Sequence, residues 1–236
     1  MLSVIVPVLN EAKVIGSLLE HLLALKGEHE VIVVDGGSDD DTAAIASRYA
    51  SLPRRESWGG YVRVISSERG RARQMNAGAR EAKGEALLFL HADCRLPPGA
   101  IPAIEAALAD PACVGGCFSL ALDENGLIYR LISWLTSLRM RLTGRMTGDE
   151  GIFVRRESFE RLGGFRDIPL MEDWDFGSRL RSLGQVRQLP LPITASARRW
   201  KKWGLWRTFW LMRRLRFLYM LGVPPQELRK LYDDVR

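Results

Sequence analysis

The segment VIVVDGGSDDDT, residues 31–42, indicates how this chain folds. A run of β-branched apolar residues ends at Asp35, glycines and small polar residues follow, and a helical stretch comes next. The same order begins with SVIVPVL at 3–9 and recurs after apolar runs at 62–66 and 85–91. This repetition predicts an α/β fold with a mostly parallel central sheet flanked by crossover helices.

The rhythm changes beyond Pro97, where helical and strand-like segments no longer alternate regularly. Periodicity predicts helices at 100–109, 127–142 and 172–184, and strands at 114–122 and 151–155. Neither a linker nor a low-complexity tract interrupts the sequence. We therefore predict one domain over residues 1–196 and a C-terminal helical appendage, basic and aromatic, over residues 197–236.

Composition indicates a folded protein, since 47% of the residues are hydrophobic and 26% are charged. No apolar run approaches the ~18 residues that a membrane-spanning helix needs. The opening lacks the layout of an export signal, which predicts a cytoplasmic protein. The three cysteines form neither a disulfide framework nor a zinc motif and are predicted to be reduced core thiols.

The net charge of +6 comes from one region. Residues 197–220 hold eight basic side chains and no acidic one, and without them the net charge would be −2. Four tryptophans in this region are spaced three or four apart, which predicts one shared helical face: Trp200, Trp203, Trp206 and Trp210. Such a helix either packs on the domain or adsorbs to an anionic membrane surface. No nucleic-acid reading module accompanies it, so no nucleic acid partner is expected.

Polar residues follow the predicted strands, where open parallel sheets bind their ligands. Asn10 and Asp40 are suited to cap the first two helices. Neither a dinucleotide-binding G-x-G-x-x-G nor a P-loop motif is present, which disfavours a dinucleotide oxidoreductase and a P-loop NTPase. The polar strand ends therefore predict a different kind of nucleotide site, although turns alone are also rich in such residues.

Five segments together resemble the family 2 glycosyltransferases of the GT-A fold, over roughly residues 3–183. They are VIVPVLNE, VVDGGSDDDT, GRARQMNAG, LLFLHADCRLP and GGFRDIPLMEDWDFGSRL. The resemblance implies a nucleotide-binding sheet joined to an acceptor-binding region. It also implies sugar transfer from a nucleotide-diphosphate sugar, with Mn²⁺ or Mg²⁺ as cofactor.

The resemblance implies donor-binding roles for residues near the strand ends, with Asp35 reading the base. The nucleotide-binding set is Pro7, Asn10, Glu11, Asp35, Gly36, Ser38, Gly70, Arg71, Asn76 and Ala92. Gly36 departs from the family, which often has a second Asp there. Asp93 matches the second acid of the family's D-x-D metal motif and His91 replaces the first, so His91 is a metal ligand, a diphosphate donor or neither.

On the acceptor side, the resemblance implies that Asp173 of the Glu172-Asp173 pair is the general base of an inverting transfer. A helix start is expected to keep its carboxylate ionised. The resemblance also implies acceptor contacts by Asp149, Glu150, Gly164, Trp174, Arg199 and Trp200. Asp149 and Glu150 are alternatively a solvated turn.

The predicted function is inverting transfer of a UDP-linked sugar to the hydroxyl of a small-molecule or lipid-linked acceptor. The H-A-D, P-L-M-E-D and R-R-W segments resemble a bacterial subgroup associated with arsenosugar biosynthesis. Two alternatives remain open. One is a catalytically silent nucleotide-binding or membrane-adaptor protein, and the other is a nucleotidyltransferase.

Overall fold

The computed structural model describes residues 1–53 and 59–232, apart from the side chain of Arg199. Within them, eight strands form one sheet: β1 (Leu2–Val8), β2 (His29–Asp35), β3 (Gly60–Ser66), β4 (Ala86–Phe89), β5 (Cys94–Arg95), β6 (Cys113–Leu122), β7 (Ile152–Arg155) and β8 (Gln185–Ala195). The helices are α1 (Ala12–Leu23), α2 (Thr42–Ala50), α3 (Arg71–Glu81), α4 (Ala100–Ala109), α5 (Leu127–Thr143), α6 (Arg156–Arg161), α7 (Glu172–Leu180), α8 (Arg198–Trp203), α9 (Leu205–Met220) and α10 (Pro225–Leu231), with a 3-10 turn at Gly148–Glu150. The predicted α/β class is confirmed.

The first four strands are parallel, as the sequence predicts. The sheet order is β3-β2-β1-β4-β7-β6-β8-β5. In this register Val8 lies opposite Asp35, and Asp35 lies opposite Ser66. The strands therefore end at one edge, which gathers the polar residues that follow them.

The second half of the sheet is mixed, because β7 runs antiparallel to both β4 and β6. Sequence analysis missed β8, which contains Pro190 and Pro192, residues that are rare inside sheets because they lack an N–H donor. The pairing of β6 with β8 shifts register after Phe118, and this irregularity accommodates the prolines. The short β5 pairs Cys94 with Ala195, which brings the start of the C-terminal region beside the end of β4.

Alternating strand residues form a hydrophobic core on each face of the sheet. On one face Val6 packs with residues of α1 and α4 such as Leu18 and Ile101. On the other face Ile5 packs with residues of α3 and α7, and Phe176 belongs to this cluster. Both faces are covered, which explains why these strands are apolar nearly throughout. All three cysteines are free and buried, as predicted.

The N-caps of the first two helices are Glu11 and Asp41, each one residue later than predicted, and neither makes a side-chain cap bond. The carboxylate of Asp40 instead accepts the backbone N–H of Ala12 at 3.2 Å and of Thr42 at 3.0 Å. One side chain thus serves the N-termini of both helices. This arrangement locks the β1–α1 turn to the β2–α2 turn.

The C-terminal region contains a helix break that the sequence analysis did not predict. Gly204, with φ of 86° and ψ of 147°, separates α8 from α9. The prediction that Trp200, Trp203, Trp206 and Trp210 share one helical face is therefore wrong, because two tryptophans lie on each helix.

The C-terminal helices also pack against the start of α7. Leu215 of α9 and Leu228 of α10 are fully buried in a cluster with Leu170 and Trp174. No helix within the described ranges combines the length and apolarity that crossing a bilayer requires.

Candidate active site

Asp35 ends β2, and its carboxylate organises the turn that follows. Oδ2 accepts the backbone N–H groups of Gly37 and Ser38, both at 3.1 Å, and Oδ1 accepts the Ser38 hydroxyl at 2.5 Å. The residue is only 7% exposed. Three of the roughly four acceptor positions of the carboxylate are thus used, and one remains on Oδ1.

The turn after β1 is tied to the turn after β2. Asn10 has a φ of 56°, a left-handed conformation that asparagine tolerates. Its N–H donates to the Ser38 hydroxyl at 3.0 Å, and its side-chain oxygen accepts the N–H of Asp39 at 2.8 Å. The N–H of Glu11 donates to the Thr42 hydroxyl at 2.8 Å. The predicted nucleoside residues on these two turns therefore form one continuous structure.

Gln74 explains the glycine at position 36. Its amide nitrogen, nearly fully buried, donates to the carbonyl oxygens of Val8 at 2.8 Å and Val34 at 2.9 Å. A Cβ on Gly36 would lie 2.9 Å from that amide. An Asp at this position, which the family often has, would therefore displace a side chain that holds β1 to β2.

A narrow cleft opens beyond the ends of β1 and β4. Seven predicted site residues line it: Pro7, Glu11, Arg71, His91, Ala92, Asp93 and Asp149. The unpredicted Arg198 also lines it, and its guanidinium lies 3.8 Å from both Glu11 Oε1 and Asp93 Oδ2. A cation of the chain itself thus lies between two of the carboxylates that the sequence analysis singled out.

The side chains at the end of β4 fit a divalent ion. Ligand atoms of His91, Asp93 and Cys94 lie within 4.8 Å of one another. Asp149 Oδ1 lies 3.0 Å from His91 Nδ1, and Nε2 is buried with no hydrogen-bond partner among the described residues. A carboxylate beside an orphaned imidazole nitrogen suits Mn²⁺. Burial raises the pKa of the Cys94 thiol well above its usual value, which disfavours the thiolate as a ligand.

Asp173 lies in a second cavity at the start of α7. Its Oδ2 accepts the N–H of Gly148 at 2.7 Å, and Oδ1 accepts the N–H of Trp174 at 2.6 Å. Burial and the neighbouring Glu172 raise the pKa of Asp173. The expectation that the helix start simply keeps this carboxylate ionised needs correction, because desolvation and like charge outweigh the favourable helix terminus.

Glu172 forms a buried ion pair with Arg71, with 2.9 Å between Oε1 and Nη1. Although burial opposes it, Glu172 raises the pKa of Arg71, which stays charged. Arg71, His91 and Asp149 line both cavities. Asp93, a predicted metal ligand, and Asp173, the predicted base, therefore lie on either side of these three residues.

Several predicted site residues have structural partners instead. The amide of Asn76 exchanges two hydrogen bonds with the backbone of Phe165, at 2.8 and 2.9 Å. Gly164 packs on that amide, since a Cβ there would lie 2.6 Å from Asn76 Oδ1. Neither residue lines the two cavities. These placements do not support a nucleotide role for Asn76 or an acceptor role for Gly164.

Glu150 is fully buried, so the alternative that it belongs to a solvated turn is wrong. It pairs with Arg139, at 2.6 Å from Oε2 to Nη2, and the same oxygen accepts the N–H of Thr147 at 2.8 Å. Burial raises its pKa, against the opposing effect of Arg139. Asp149 is about half exposed and faces the cavities, so the two neighbouring acids have different environments.

Gly70 begins α3 with a φ of 144°, and it lines a third opening beside Arg71. Trp174 is 5% exposed and packs among arginines, while Trp200 lies against a groove between α5 and α9. The predicted acceptor residue Arg199 has its side chain outside the described part of the structure.

Sequence analysis missed Gln74, Cys94, Arg198 and Arg216. The first two lie inside the motifs GRARQMNAG and LLFLHADCRLP, so the motifs could have found them. Arg198 directly precedes the predicted Arg199, but only the pairing of β5 with β8 brings it to the cleft. Arg216 had no signal beyond the general positive charge of its segment.

A sequence model described as "Glycosyl transferase family 2" matches residues 3–163. Curated relatives include undecaprenyl-phosphate 4-deoxy-4-formamido-L-arabinose transferases. That of Sodalis glossinidius is 28% identical over 159 residues, and that of Photorhabdus laumondii is 29% identical over 158 residues. Each match covers 65% of this chain and 47% of the relative, so the chain spans about half the length of these relatives.

Solved structures share the architecture. The mannosyltransferase PcManGT from Pyrobaculum calidifontis, in complex with GDP-Man and Mn²⁺, has a TM-score of 0.71 at 24% identity over 92% of this chain and 61% of that chain. A fragment of S. aureus TarS in complex with UDP-GlcNAc has a TM-score of 0.64 at 21% identity over 83% of this chain and 58% of that chain. At these identities the structures show the fold alone. Because the family model matches well over half of the sequence, the chain belongs to glycosyl transferase family 2, and it has the GT-A fold of glycosyltransferases.

Proposed function

We propose that this protein transfers a sugar from a nucleotide-diphosphate sugar to an acceptor hydroxyl, with inversion at the anomeric carbon and with a divalent cation. One observation carries the proposal. Asp93 and Asp173 lie on either side of Arg71, His91 and Asp149, which line both cavities. A donor bound along the first cavity would thus present its anomeric carbon toward the second.

The hydrogen bonds of Asp35 favour a UDP-linked donor. Its carboxylate has one acceptor position left after three bonds to the turn. Uracil offers a single imide N–H to such a position, whereas guanine offers a ring N–H and an amino group that together need two acceptors. The solved relatives bind donors of both kinds, UDP-GlcNAc and GDP-Man. The turn chemistry of this chain therefore supports uridine.

Asp93, together with the imidazole of His91, would hold Mn²⁺ or Mg²⁺, and PcManGT contains Mn²⁺. The bound cation supplies charge stabilisation to the diphosphate leaving group. Arg71 and Arg198 place guanidinium groups at the same cleft and share that role. Asp149 fixes the His91 ring through Nδ1, which leaves Nε2 as the free donor nitrogen.

Asp173 would act as the general base. Its raised pKa makes its carboxylate a better proton acceptor than that of an ordinary aspartate. Gly148 and Trp174 hold both carboxylate oxygens in place through their backbone N–H groups. Attack from the side of Asp173, opposite the leaving diphosphate, inverts the anomeric centre. Glu172 acts on Arg71, which it keeps charged and oriented.

The acceptor would enter from the side of α9 and meet Asp149, Trp174 and Trp200. Curated relatives are named for undecaprenyl phosphate, so a lipid-linked acceptor is the class proposed here. Peripheral contact with a membrane surface agrees with the exposure of Trp206 and Trp210, at 66% and 64%. The resemblance to arsenosugar-associated enzymes stays a prediction about the pathway.

Donor hydrolysis tests the proposal. UDP-glucose, UDP-GlcNAc and GDP-mannose are each incubated with the protein and Mn²⁺, and the released nucleotide is quantified. We expect release from a UDP-sugar that Asp93→Ala suppresses. Nucleotide binding without nucleotide release from any donor would contradict the proposed sugar transfer and favour the catalytically silent nucleotide-binding alternative. Release of pyrophosphate from a nucleoside triphosphate would instead favour the nucleotidyltransferase.

A further inference from the structure

An apolar groove runs between α5 and α9, on the far side of Trp174 from the cleft. Its walls include Ile132, Leu135 and Leu138 of α5, and Met212 and Phe217 of α9. α5 has 17 residues and α9 has 16, so at about 1.5 Å per residue the groove is flanked by helices about 25 Å long. The residues that line the groove span 132–143 on α5 and 209–220 on α9, or about 18 Å at about 1.5 Å per residue, which leaves room for a hydrocarbon chain. The family model ends at residue 163, so α9 lies outside the matched region.

The inner end of the groove is strongly cationic. The guanidinium carbons of Arg139, Arg145 and Arg216 each lie 5.3 Å from the ring centroid of Trp174. Arg139 pairs with Glu150, but its Nε and Nη1 are buried with no hydrogen-bond partner in the described ranges. None of the described residues that line the groove is acidic. The cluster thus has unmet hydrogen-bond donors and excess positive charge.

At Arg216 this environment disfavours the charged form of the guanidinium. Burial and the neighbouring guanidinium of Arg139 lower its pKa to about 10. A bound anion would reverse this effect by supplying the missing counter-charge. All three arginines line the groove, and a phosphate can accept charge-assisted hydrogen bonds from several guanidinium groups.

The groove leads directly to the candidate base. Trp174 follows Asp173 in the chain, and it lines both the groove and the cavity of Asp173. Met212 and Arg216 line both spaces as well. A molecule with its phosphate at the arginines would therefore place its head beside Asp173 and its tail along α9.

The outer rim is apolar. Twelve large hydrophobic residues are exposed among the residues that the structure describes, and nine of them belong to α5, α9 or the residue after α9. They are Leu127, Leu131, Trp134, Leu142, Trp206, Trp210, Phe217, Met220 and Leu221. Such a concentration on one side of a molecule marks an interaction surface rather than random exposure. Its apolar chemistry continues that of the groove.

We propose that the groove between α5 and α9 binds the hydrocarbon chain of a lipid-linked acceptor, whose phosphate lies at Arg139, Arg145 and Arg216 and whose hydroxyl-bearing head lies beside Asp173. The inference rests on the proposed function, because it names the acceptor class of the same site. The lipid comes from the membrane, which the apolar rim of α5 and α9 would contact. Trp174 separates the apolar tail from the reacting head.

Binding of farnesyl phosphate tests this proposal without catalysis. The probe carries a photoreactive benzophenone, and mass spectrometry locates the crosslinked residues; farnesol serves as the uncharged counterpart. We expect crosslinks on Leu135, Met212 or Phe217, and tighter binding of the phosphate than of farnesol.

Exposed residues supply variants that should fold. Leu142→Glu combined with Phe217→Glu places charge in the groove and is expected to weaken binding by about tenfold, the equivalent of about two buried methylene groups. Leu52→Glu is the matched control, because Leu52 is 40% exposed and belongs neither to the groove nor to the apolar rim of α5 and α9. Arg145→Ala should weaken the binding of farnesyl phosphate several-fold and leave the binding of farnesol unchanged. Arg214 is exposed and lies outside the groove, so Arg214→Ala should change the binding of neither.

Binding of UDP, measured in parallel, keeps the two proposals distinguishable. Loss of UDP binding or of donor hydrolysis with intact lipid binding would count against the proposed function and not against the groove. If the Leu142 and Phe217 double variant binds farnesyl phosphate as tightly as the wild type, or if the crosslinks are confined to other surfaces, the groove proposal is overturned. Burial of the groove by a second copy of the chain, seen as a concentration-dependent dimer that farnesyl phosphate does not dissociate, would overturn it as well.

Discussion

The substitution Asp173→Asn tests whether Asp173 is the general base, with little change to the fold. The substitution keeps the size of the side chain and removes the proton acceptor. General-base catalysis contributes about 10² to 10⁴ in rate, so the activation barrier should rise by about 3–5 kcal/mol. Donor binding should change little, because the carboxylate lies in the second cavity, across the shared residues from Asp93.

The effect on stability is a balance of two opposing changes. Asn offers one oxygen where two N–H donors, Gly148 and Trp174, now bind at 2.7 and 2.6 Å. One buried N–H loses its acceptor, at a cost of about 1–3 kcal/mol. The substitution also removes a buried charge beside Glu172, which burdens the folded state. We therefore expect a net change in unfolding free energy below about 2 kcal/mol.

The sign of the pH dependence follows from the raised pKa of Asp173. A carboxyl with a folded-state pKa above its unfolded value binds its proton more tightly when folded. The wild type therefore gains stability relative to the Asn variant as the pH falls through that raised pKa. Above that raised pKa, the wild type carries the full cost of the buried charge, so the stability of the Asn variant relative to the wild type is greatest there.

The assays are sugar transfer at saturating donor, UDP calorimetry and urea unfolding. Asp175→Asn is the matched control on the same helix, because its carboxylate pairs with Arg179 at 2.7 Å and Arg166 at 3.0 Å. This control should lose about 2 kcal/mol of stability and keep most of its transfer rate. Full turnover by Asp173→Asn, or an equal loss of rate in both variants, would refute the assignment of the base.

Arg198→Ala should tighten Mn²⁺ binding to the nucleotide-free protein by about two- to fivefold, because the half-exposed guanidinium of Arg198 lies 3.8 Å from Asp93. Electron paramagnetic resonance measures the Mn²⁺ binding, and weaker binding by the variant would contradict this. Gln74→Ala should cost about 2–3 kcal/mol in urea unfolding, because two buried carbonyl groups lose their donor. The exposed Gln226→Ala is its control, and an equal effect of both would refute the bracing role. The acid limb of kcat/KM should lie above the usual range of a free aspartate, because burial raises the pKa of Asp173, and a limb at ordinary aspartate pH would argue against that residue as the base.

The parallel half of the fold is readable from the sequence because each strand there is buried on both faces. Continuous β-branched runs, followed by Asp, Asn or Gly turns, identify β1 to β4 and the edge at which they end. β8 is different, because its two prolines contradict a strand pattern and only its pairing with β6 provides a place for them. The break at Gly204 was equally hidden, since a glycine within a periodic helix pattern indicates a break only when the backbone conformation is known.

The site was predictable where motif residues reach the cleft through their own strand ends. Glu11, Ala92 and Asp93 belong to this group. Residues brought in by long-range contacts were not predictable. Arg198 reaches Asp93 only because β5 pairs with β8 beside the end of β4. The amide of Asn76 holds the backbone of Phe165, a role that its motif position did not reveal, and its nucleotide contact stays a prediction.

We propose that acidic residues from distant segments surround one cation-dependent nucleotide site. Calorimetric titration of UDP, with and without Mn²⁺, tests it in the wild type, in Asp93→Ala and in the control Asp110→Ala, whose carboxylate pairs with Arg187. Mn²⁺ should tighten UDP binding in the wild type and the control, and should have no effect in Asp93→Ala. Undiminished Mn²⁺ enhancement in Asp93→Ala would contradict the claim.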